Sequence, residues 1–73
     1  MKLPLLSAAE LIKILHKMGF QDIRQKGSHK YFRHPDGRAT VVPVHPGRDI
    51  GKGLLRSILN EIQVNREEFF KYL

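Results

Sequence analysis

The spacing of the apolar residues changes twice along the chain, and this pattern constrains the fold more than any other feature. From Leu11 to Met18 apolar residues recur at helical intervals, and they do so again from Leu54 to Ile62. Between these segments, short runs rich in Val, Phe and Tyr are separated by turn residues, as is typical of β-strands. The pattern therefore predicts an α+β fold in which strands lie between helices.

Local signals set the predicted helix boundaries. Ser7 and Glu10 have the spacing of a capping box, and Gly19 supplies a left-handed residue to end the first helix. Residues 50–62 predict a second helix with a buried apolar stripe. Asn65 is placed to cap a short C-terminal helix. The chain contains no linker or repeat, so we expect one domain over residues 1–73.

Three strands are predicted between the two longer helices. The candidate strands are residues 20–25, 30–33 and 40–44, and turn residues at 26–27 and 35–37 separate them. Short connections of this kind make neighbouring strands antiparallel. We therefore expect a three-stranded antiparallel sheet with the helices packed on one face and the other face open.

Alternation along the strands predicts which side chains lie on the open face. His29 and Tyr31 share one face of the middle strand, whereas Phe32 lies on the other face under the helices. The same reasoning predicts that Ile23 is buried and that Arg24 is exposed. A histidine would then lie on an open, basic and partly aromatic surface.

The charge is concentrated in the middle of the chain. The formal net charge is +6, and between Arg24 and Arg56 eight Lys and Arg residues face two Asp residues. The flanking segments carry equal numbers of cations and acids. This segregation favours an anionic partner such as nucleic acid. A basic face that docks an acidic protein is an alternative.

His29 has the chemistry that RNA cleavage requires. RNA carries its own nucleophile, the 2′-hydroxyl, and cleavage needs a base, an acid and cations near phosphorus. Imidazole, with an ordinary pKa of about 6.5, exchanges protons near neutral pH. A strand histidine is nevertheless more often structural than catalytic, so the pattern alone leaves both interpretations open.

The remaining histidines and glycines give weaker signals. His34 is predicted to be a polar loop residue and His16 to lie on the solvent side of the first helix, while His45 is a possible second proton-transfer group. The histidine spacing does not suit a metal, and cysteine is absent, so we expect no metal and no other cofactor. Residues 51–53 could hold a phosphate at a helix start, although they do not form a P-loop.

One segment resembles a known family. Residues 27–32, Gly-Ser-His-Lys-Tyr-Phe, resemble the G-S-H-x-x-F signature of the HicA toxins, and the resemblance continues through residues 42–47, 53–59 and 66–69. It implies a double-stranded-RNA-binding-domain-like α-β-β-β-α fold that acts as an mRNA interferase. It also implies that His29 is the catalytic residue and that a HicB antitoxin binds the toxin and blocks the site.

The leading hypothesis is thus a toxin that acts as a metal-independent endoribonuclease on mRNA. The candidate RNA contacts belong to the G-S-H motif or carry a positive charge: Lys26, Gly27, Ser28, Lys30, Arg33, Arg38 and Lys52. A non-catalytic RNA-binding module of the double-stranded-RNA-binding type is the alternative. With no long apolar run, no secretory h-region and no cysteine, we expect a cytoplasmic protein without membrane contact.

Overall fold

The predicted helices and strands all occur in the predicted order, and two further short strands accompany them. The computed structural model describes residues 2–73. Its elements are β1 (Leu6–Ser7), α1 (Ala8–Met18), β2 (Gln21–Lys26), β3 (His29–Arg33), β4 (Ala39–Pro43), β5 (Asp49–Ile50), α2 (Lys52–Glu61) and α3 (Arg66–Phe70). The antiparallel sheet has the order β2-β3-β4, and β1 pairs separately with β5. The α+β architecture is confirmed, and each of the three predicted strands lies within one residue of the observed one.

Helix α1 begins and ends where the local signals predict. The Ser7 N–H donates to Oε1 of Glu10 over 2.9 Å, and the Glu10 N–H donates to Oγ of Ser7 over 3.1 Å. The backbone bond from Ser7 is the main reason that the pKa of the Glu10 carboxyl is below its ordinary value. Gly19 ends the helix with a φ of 100°, which disfavours any residue with a Cβ.

The core lies between the helices and one face of the three-stranded sheet. Phe32 and Val42, on neighbouring strands, are fully buried there. The helices and the loop after α2 cover them with residues that are also fully buried: Leu11, Leu15, Leu55, Ile62 and Phe69. We call this side of the sheet the helix face, and its residues are Asp22, Gln25, Lys30, Phe32, Thr40 and Val42. Burial of these apolar side chains is the main stabilising term of the fold.

The helix face also buries one polar side chain. Thr40 is the only buried polar residue within residues 2–73. Its hydroxyl donates to Oε1 of Glu61, at the end of α2, over 2.5 Å. Over the same residues, every buried side-chain nitrogen and oxygen has a hydrogen-bond partner. The core therefore carries no unsatisfied side-chain group that would need a ligand.

The β1–β5 ladder was not predicted, and it corrects the start of the second helix. Leu6 lies opposite Ile50, and both side chains are buried. Because Ile50 belongs to this ladder, α2 begins at Lys52, two residues later than predicted. Leu54 was expected in the buried stripe of this helix but is 39% exposed, because it lies in the first turn on the side away from the core.

A β-bulge in β2 overturns one predicted orientation. Asp22 pairs with Phe32, and Arg24 pairs with the preceding residue of β3, Tyr31. Ile23 is thus an extra residue at which the alternation of side chains is reset. Ile23 is 50% exposed, so the prediction that it is buried is wrong.

The short helix α3 forms as predicted. Oδ1 of Asn65 accepts a hydrogen bond from the Glu68 N–H over 2.8 Å, and Phe69 is buried against the core. No helix within residues 2–73 is long and apolar enough to cross a membrane.

Candidate nucleic-acid interface

The side of the sheet that no helix covers carries three rows of side chains. Residues that pair across antiparallel strands share a face. The rows are Lys26 with His29 and Pro43, Arg24 with Tyr31 and Val41, and Gln21 with Arg33 and Ala39. We call these residues, together with Ile23, the open face. The prediction that His29 and Tyr31 lie opposite Phe32 is confirmed.

His29 begins β3 directly after a tight turn. Gly27 in this turn has a φ of 58°, and a Cβ built there would meet no atom within 4 Å, so its conformation and not crowding favours glycine. The Ser28 carbonyl accepts a hydrogen bond from the Val44 N–H over 2.6 Å, which extends the pairing of β3 and β4 beyond the end of β4. The turn is therefore fixed on both sides, and it holds the backbone of His29 in place.

The imidazole of His29 is accessible to a ligand. The residue is exposed, and within residues 2–73 its ring makes no hydrogen bond or ion pair. Both ring nitrogens are thus available for proton transfer or for a hydrogen bond to a bound molecule. Among the four histidines, this is the one on the open face.

Among residues 2–73, the cations of the open face have no acidic partners. Lys26 lies opposite His29, and Arg33 lies two rows away at the other end of the face. Neither forms a salt bridge within the described part of the chain. The Cζ atom of Arg24 lies 4.9 Å from the centroid of the Tyr31 ring, so a cation–π contact holds this guanidinium against the sheet. The open face therefore keeps an uncompensated positive potential.

Lys30, a candidate RNA contact, lies on the helix face and already has a partner. Its Nζ is 2.8 Å from Oδ2 of Asp22, and the other carboxylate oxygen of Asp22 contacts Nε2 of His16. Hydrogen bonds from Lys30 first, and from His16 second, lower the pKa of the Asp22 carboxyl. The three side chains form a polar cluster beside Phe32, with the His16 ring edge-on to that phenyl ring at 6.0 Å.

Arg38 is also held in structural contacts. Its Nε donates to Oδ2 of Asp36 over 2.8 Å, and one terminal nitrogen donates to the carbonyl of Ile62 over 2.7 Å. Its Cζ lies 5.2 Å from the centroid of the Phe20 ring. The backbone N–H of Arg38 is the main cause of the lowered pKa of the Asp36 carboxyl. Arg38 precedes β4 and thus lies at the opposite end of the sheet from His29.

Lys52, the last of the candidate RNA contacts, lies outside the sheet. It is the first residue of α2, and it is exposed. The preceding Gly51 provides no side chain to cap the helix. Lys52 therefore adds a free cation near exposed backbone N–H groups, but the structure does not join it to the three rows of the open face.

The other histidines differ from one another in environment. His16 was predicted on the solvent side of α1. Its side chain is half-exposed, but its Nε2 also contacts the carboxylate of Asp22 on the sheet. His34 is not a simple loop residue: its Nδ1 accepts from the Asp36 N–H over 3.1 Å, and its Nε2 donates to the Met18 carbonyl over 3.1 Å. These two contacts join the β3–β4 turn to α1, and Nδ1 also lies 3.0 Å from Oδ1 of Asp36.

His45 lies near the same end of the sheet as His29. It is exposed, and it follows Val44, which is bonded to the turn before His29. Across residues 2–73, no group of three or more His, Asp and Glu side chains is arranged to hold a metal ion. His45 and His29 thus lie near the same end of the sheet.

Sequence spacing alone does not place Ile23 and Val41 on the open face. The run around Val41 supplies apolar side chains to both faces of β4. The bulge at Ile23 depends on how β2 pairs with β3, which no local signal reveals. Both side chains extend the face with apolar surface beside its cations.

The sequence also matches a known protein family. Residues 8–64 match the family model described as the HicA toxin of bacterial toxin–antitoxin systems. The matched span begins with α1 and includes the sheet and the whole of α2. No curated protein matches the chain significantly.

Proposed function

The chain belongs to the HicA toxin family, and on this premise we propose that it is an endoribonuclease that cleaves mRNA on the open face of its sheet. The observation that supports the proposal best is the position of His29. It is an exposed histidine without a protein partner, on a surface whose cations are also unpaired within residues 2–73.

Each requirement of the reaction has a candidate group near His29. The imidazole takes the proton of the RNA 2′-hydroxyl, and the 2′-oxygen forms a bond to the adjacent phosphorus. The bond from phosphorus to the 5′-oxygen breaks, and that oxygen receives a proton. Lys26, directly opposite His29, stabilises the negative charge on the phosphate oxygens. No group outside the RNA has to supply the nucleophile.

His45 is our candidate for the group that protonates the leaving 5′-oxygen. It lies two residues beyond Pro43, the cross-strand partner of His29. Histidine suits this role because one ring can donate near neutral pH while another accepts. Loss of either proton-transfer group typically lowers a rate by about 100-fold or more.

The remaining RNA contacts divide by their surroundings. Gly27 and Ser28 form the turn beside His29, and a phosphate can approach this backbone closely. Arg33 and Lys52 are proposed to bind phosphates of the RNA that lie farther from the cleaved bond. Lys30 and Arg38 remain candidates, although each must share its charge with a carboxylate.

An antitoxin is the expected protein partner, since the family consists of toxins from toxin–antitoxin systems. We propose that a HicB-like antitoxin covers the open face and so prevents RNA from reaching His29. Electrostatic attraction would favour an acidic surface on that partner.

The test is cleavage of a long single-stranded RNA by the purified protein, with and without EDTA. We expect cleavage by the wild type in both conditions, and a fall of about 100-fold or more for His29→Ala. The matched control is His16→Ala, which removes a histidine of α1 that contacts Asp22 on the helix face and should retain cleavage. Equal cleavage by wild type and His29→Ala would remove His29 from the mechanism.

The same assay separates the alternatives. RNA binding without cleavage by the wild type would favour a non-catalytic RNA-binding module. Loss of cleavage in EDTA would show that a metal ion takes part. Circular dichroism of each variant confirms that the comparison is made between folded proteins.

A further inference from the structure

A cleft on the open face points to a substrate class. We propose that this cleft, one row away from His29, binds one unpaired base of the RNA, so that the strand is single-stranded where it is cut. The inference rests on the proposed function and adds to it a site for the base.

The cleft has the size and lining of a small-ligand site. Its volume is about 410 Å³, within the range of about 300–1,000 Å³ that is usual for such sites. Most of its lining belongs to the open face: apolar walls come from Ile23, Tyr31 and Val41, and Arg24 and Arg33 contribute the cations. Ala39 and, from the helix side, Phe32, Thr40 and Glu61 complete the lining. A flat aromatic ring with polar edges matches this combination of apolar walls and charged rim.

Ile23 is 50% exposed because the bulge resets the alternation of side chains at this residue. The bulge directs the side chain out of β2, next to the Arg24–Tyr31 pair. An exposed isoleucine on an edge strand is unfavourable in isolation, since it orders water and presents an apolar surface to other chains. Contact with a base would remove part of this side chain from water.

The Arg24–Tyr31 pair provides a surface for stacking. The guanidinium carbon lies 4.9 Å from the ring centroid, so the two side chains are in cation–π contact. Unpaired bases in RNA complexes stack on aromatic rings and on arginine planes. Stacking is tolerant of sequence, because every base has a π-face. The cleft therefore selects an unpaired base without selecting its identity.

The cleft lies close to the proposed reaction centre. Tyr31 is two residues from His29 on the same face of β3, which corresponds to about 7 Å along a strand. A base in the cleft would place an adjacent phosphate near His29 and Lys26. Bases within a duplex are stacked above and below and cannot enter the cleft unless they leave the helix.

Charge favours a nucleic acid over an apolar protein segment as the occupant. Arg24 and Arg33 line the cleft, and neither has a carboxylate partner among residues 2–73. Glu61 is the one acid in the lining, and its Oε1 accepts a hydrogen bond from Thr40. The phosphates that flank an unpaired base would neutralise the two arginines.

The binding test uses His29→Ala protein, which keeps the RNA intact, and three RNAs of one sequence. These are the single strand, the same strand with internal abasic residues, and the fully paired duplex. We expect the single strand to bind about tenfold more tightly than the abasic strand. Ile23→Ser should weaken binding of the single strand by about three- to tenfold and leave the abasic strand unchanged.

The matched control replaces another exposed apolar residue. Leu73→Ser removes a side chain that is 55% exposed, compared with 50% for Ile23, but lies at the C-terminal end of the chain. It should leave the affinity for all three RNAs unchanged. An equal loss of affinity for the single strand in both variants would show that replacing any exposed apolar side chain weakens binding, and it would overturn the proposal.

A second measurement places the base directly. Methyl NMR signals of Ile23 and Val41 are followed while cytidine 5′-monophosphate or ribose 5-phosphate is added. Shifts with the nucleotide and not with the sugar phosphate support the base site. Equal shifts with both compounds, or shifts with neither, overturn it.

Failure of this inference and failure of the proposed function give different results. Cleavage that depends on His29, together with equal affinity for the intact and abasic strands, would remove only the base site and leave the cleft to a protein partner. Selective binding of the nucleotide without any RNA cleavage would retain the base site and remove the nuclease.

Discussion

The two faces of the sheet use the same strands in opposite ways. On the helix face the charged side chains of β2 and β3 are paired: Lys30 pairs with Asp22, which also contacts His16 of α1. On the open face Lys26 and Arg33 have no acidic partner within residues 2–73, and His29 has no hydrogen bond there. Paired charges stabilise the fold, whereas unpaired like charges repel one another and remain available to bind an anionic ligand. Neighbouring residues of β3 therefore differ in role: one stabilises the fold on the helix face, and the next belongs to the proposed RNA-binding surface on the open face.

The largest contrast between the faces is expected at Phe32 and Arg33. Phe32→Ala should lower the free energy of unfolding by about 3–5 kcal/mol, because it leaves a cavity under the helices. Arg33→Ala, its neighbour on the open face, should change it by no more than about 0.5 kcal/mol. Urea denaturation followed by circular dichroism measures both values. Similar losses for the two variants would contradict the division into faces.

Two glycines extend the contrast to the turns. Gly19→Ala should cost about 1–3 kcal/mol, since φ is 100° and the new Cβ would lie 3.0 Å from Nε2 of His34. Gly27→Ala should cost about 1 kcal/mol, because φ is 58° and the added Cβ meets nothing. Thermal unfolding ranks the two. A larger loss at Gly27 would mean that the turn beside His29 carries more of the stability than its contacts indicate.

The polar cluster of the helix face should have a smaller, pH-dependent effect. The pKa of the Asp22 carboxyl is lowered from 3.8 in the folded protein. Its contribution is therefore present above about pH 4 and is lost as the pH falls through the lower, folded pKa. Asp22→Asn should cost at most about 1 kcal/mol at pH 7, because the carboxylate is 40% exposed.

The pH series provides its own control. The difference between wild type and Asp22→Asn should shrink as both proteins are unfolded in urea at progressively lower pH from 4 to 2. A difference that stayed constant over this range would show that the charge of Asp22 does not stabilise the fold. The single-site variant Lys13→Gln, on the surface of α1, should show no such trend.

The smallest effect on stability is expected on the open face, together with a clear effect on binding. Lys26→Gln should leave the free energy of unfolding within about 0.5 kcal/mol of the wild type. It should reduce the slope of log affinity for single-stranded RNA against log salt by about 0.7, the value for one lost phosphate contact. Lys13→Gln serves as the charge-matched control. An unchanged slope for Lys26→Gln would remove this lysine from the interface.

The extent to which the fold was predictable depends on whether the signals are local. Ser7, Glu10 and Gly19 act within one helix, so sequence alone predicts both ends of α1. The turn glycines and the alternation around Phe32 likewise predict the meander and the face that His29 occupies. These features depend on neighbours a few residues away.

The features that were not predicted depend on partners far along the chain. The ladder between β1 and β5 has only two residue pairs, Leu6 with Ile50 and Ser7 with Asp49. Strands of two residues are too short to give a recognisable sequence pattern. The exposure of Ile23 follows from the register of β2 against β3. Charge counting likewise cannot distinguish Arg38, which is held by Asp36, from Lys26, which is free of acidic partners in the described chain. Local patterns predict the faces, whereas long-range contacts decide which cations remain available.

The pairing of Leu6 with Ile50 joins two segments that are synthesised at different times. It closes a loop that contains α1 and the whole three-stranded sheet, and α2 follows it in the sequence. The β3–β4 hairpin, which carries His29, is therefore synthesised before α2, one of the helices that cover its apolar side. A nascent fragment that ends before α2 contains α1 but lacks Leu55, Ile62 and Phe69, which complete the cover of the sheet. The hydrophobic core is therefore complete only when α2 and α3 have been synthesised.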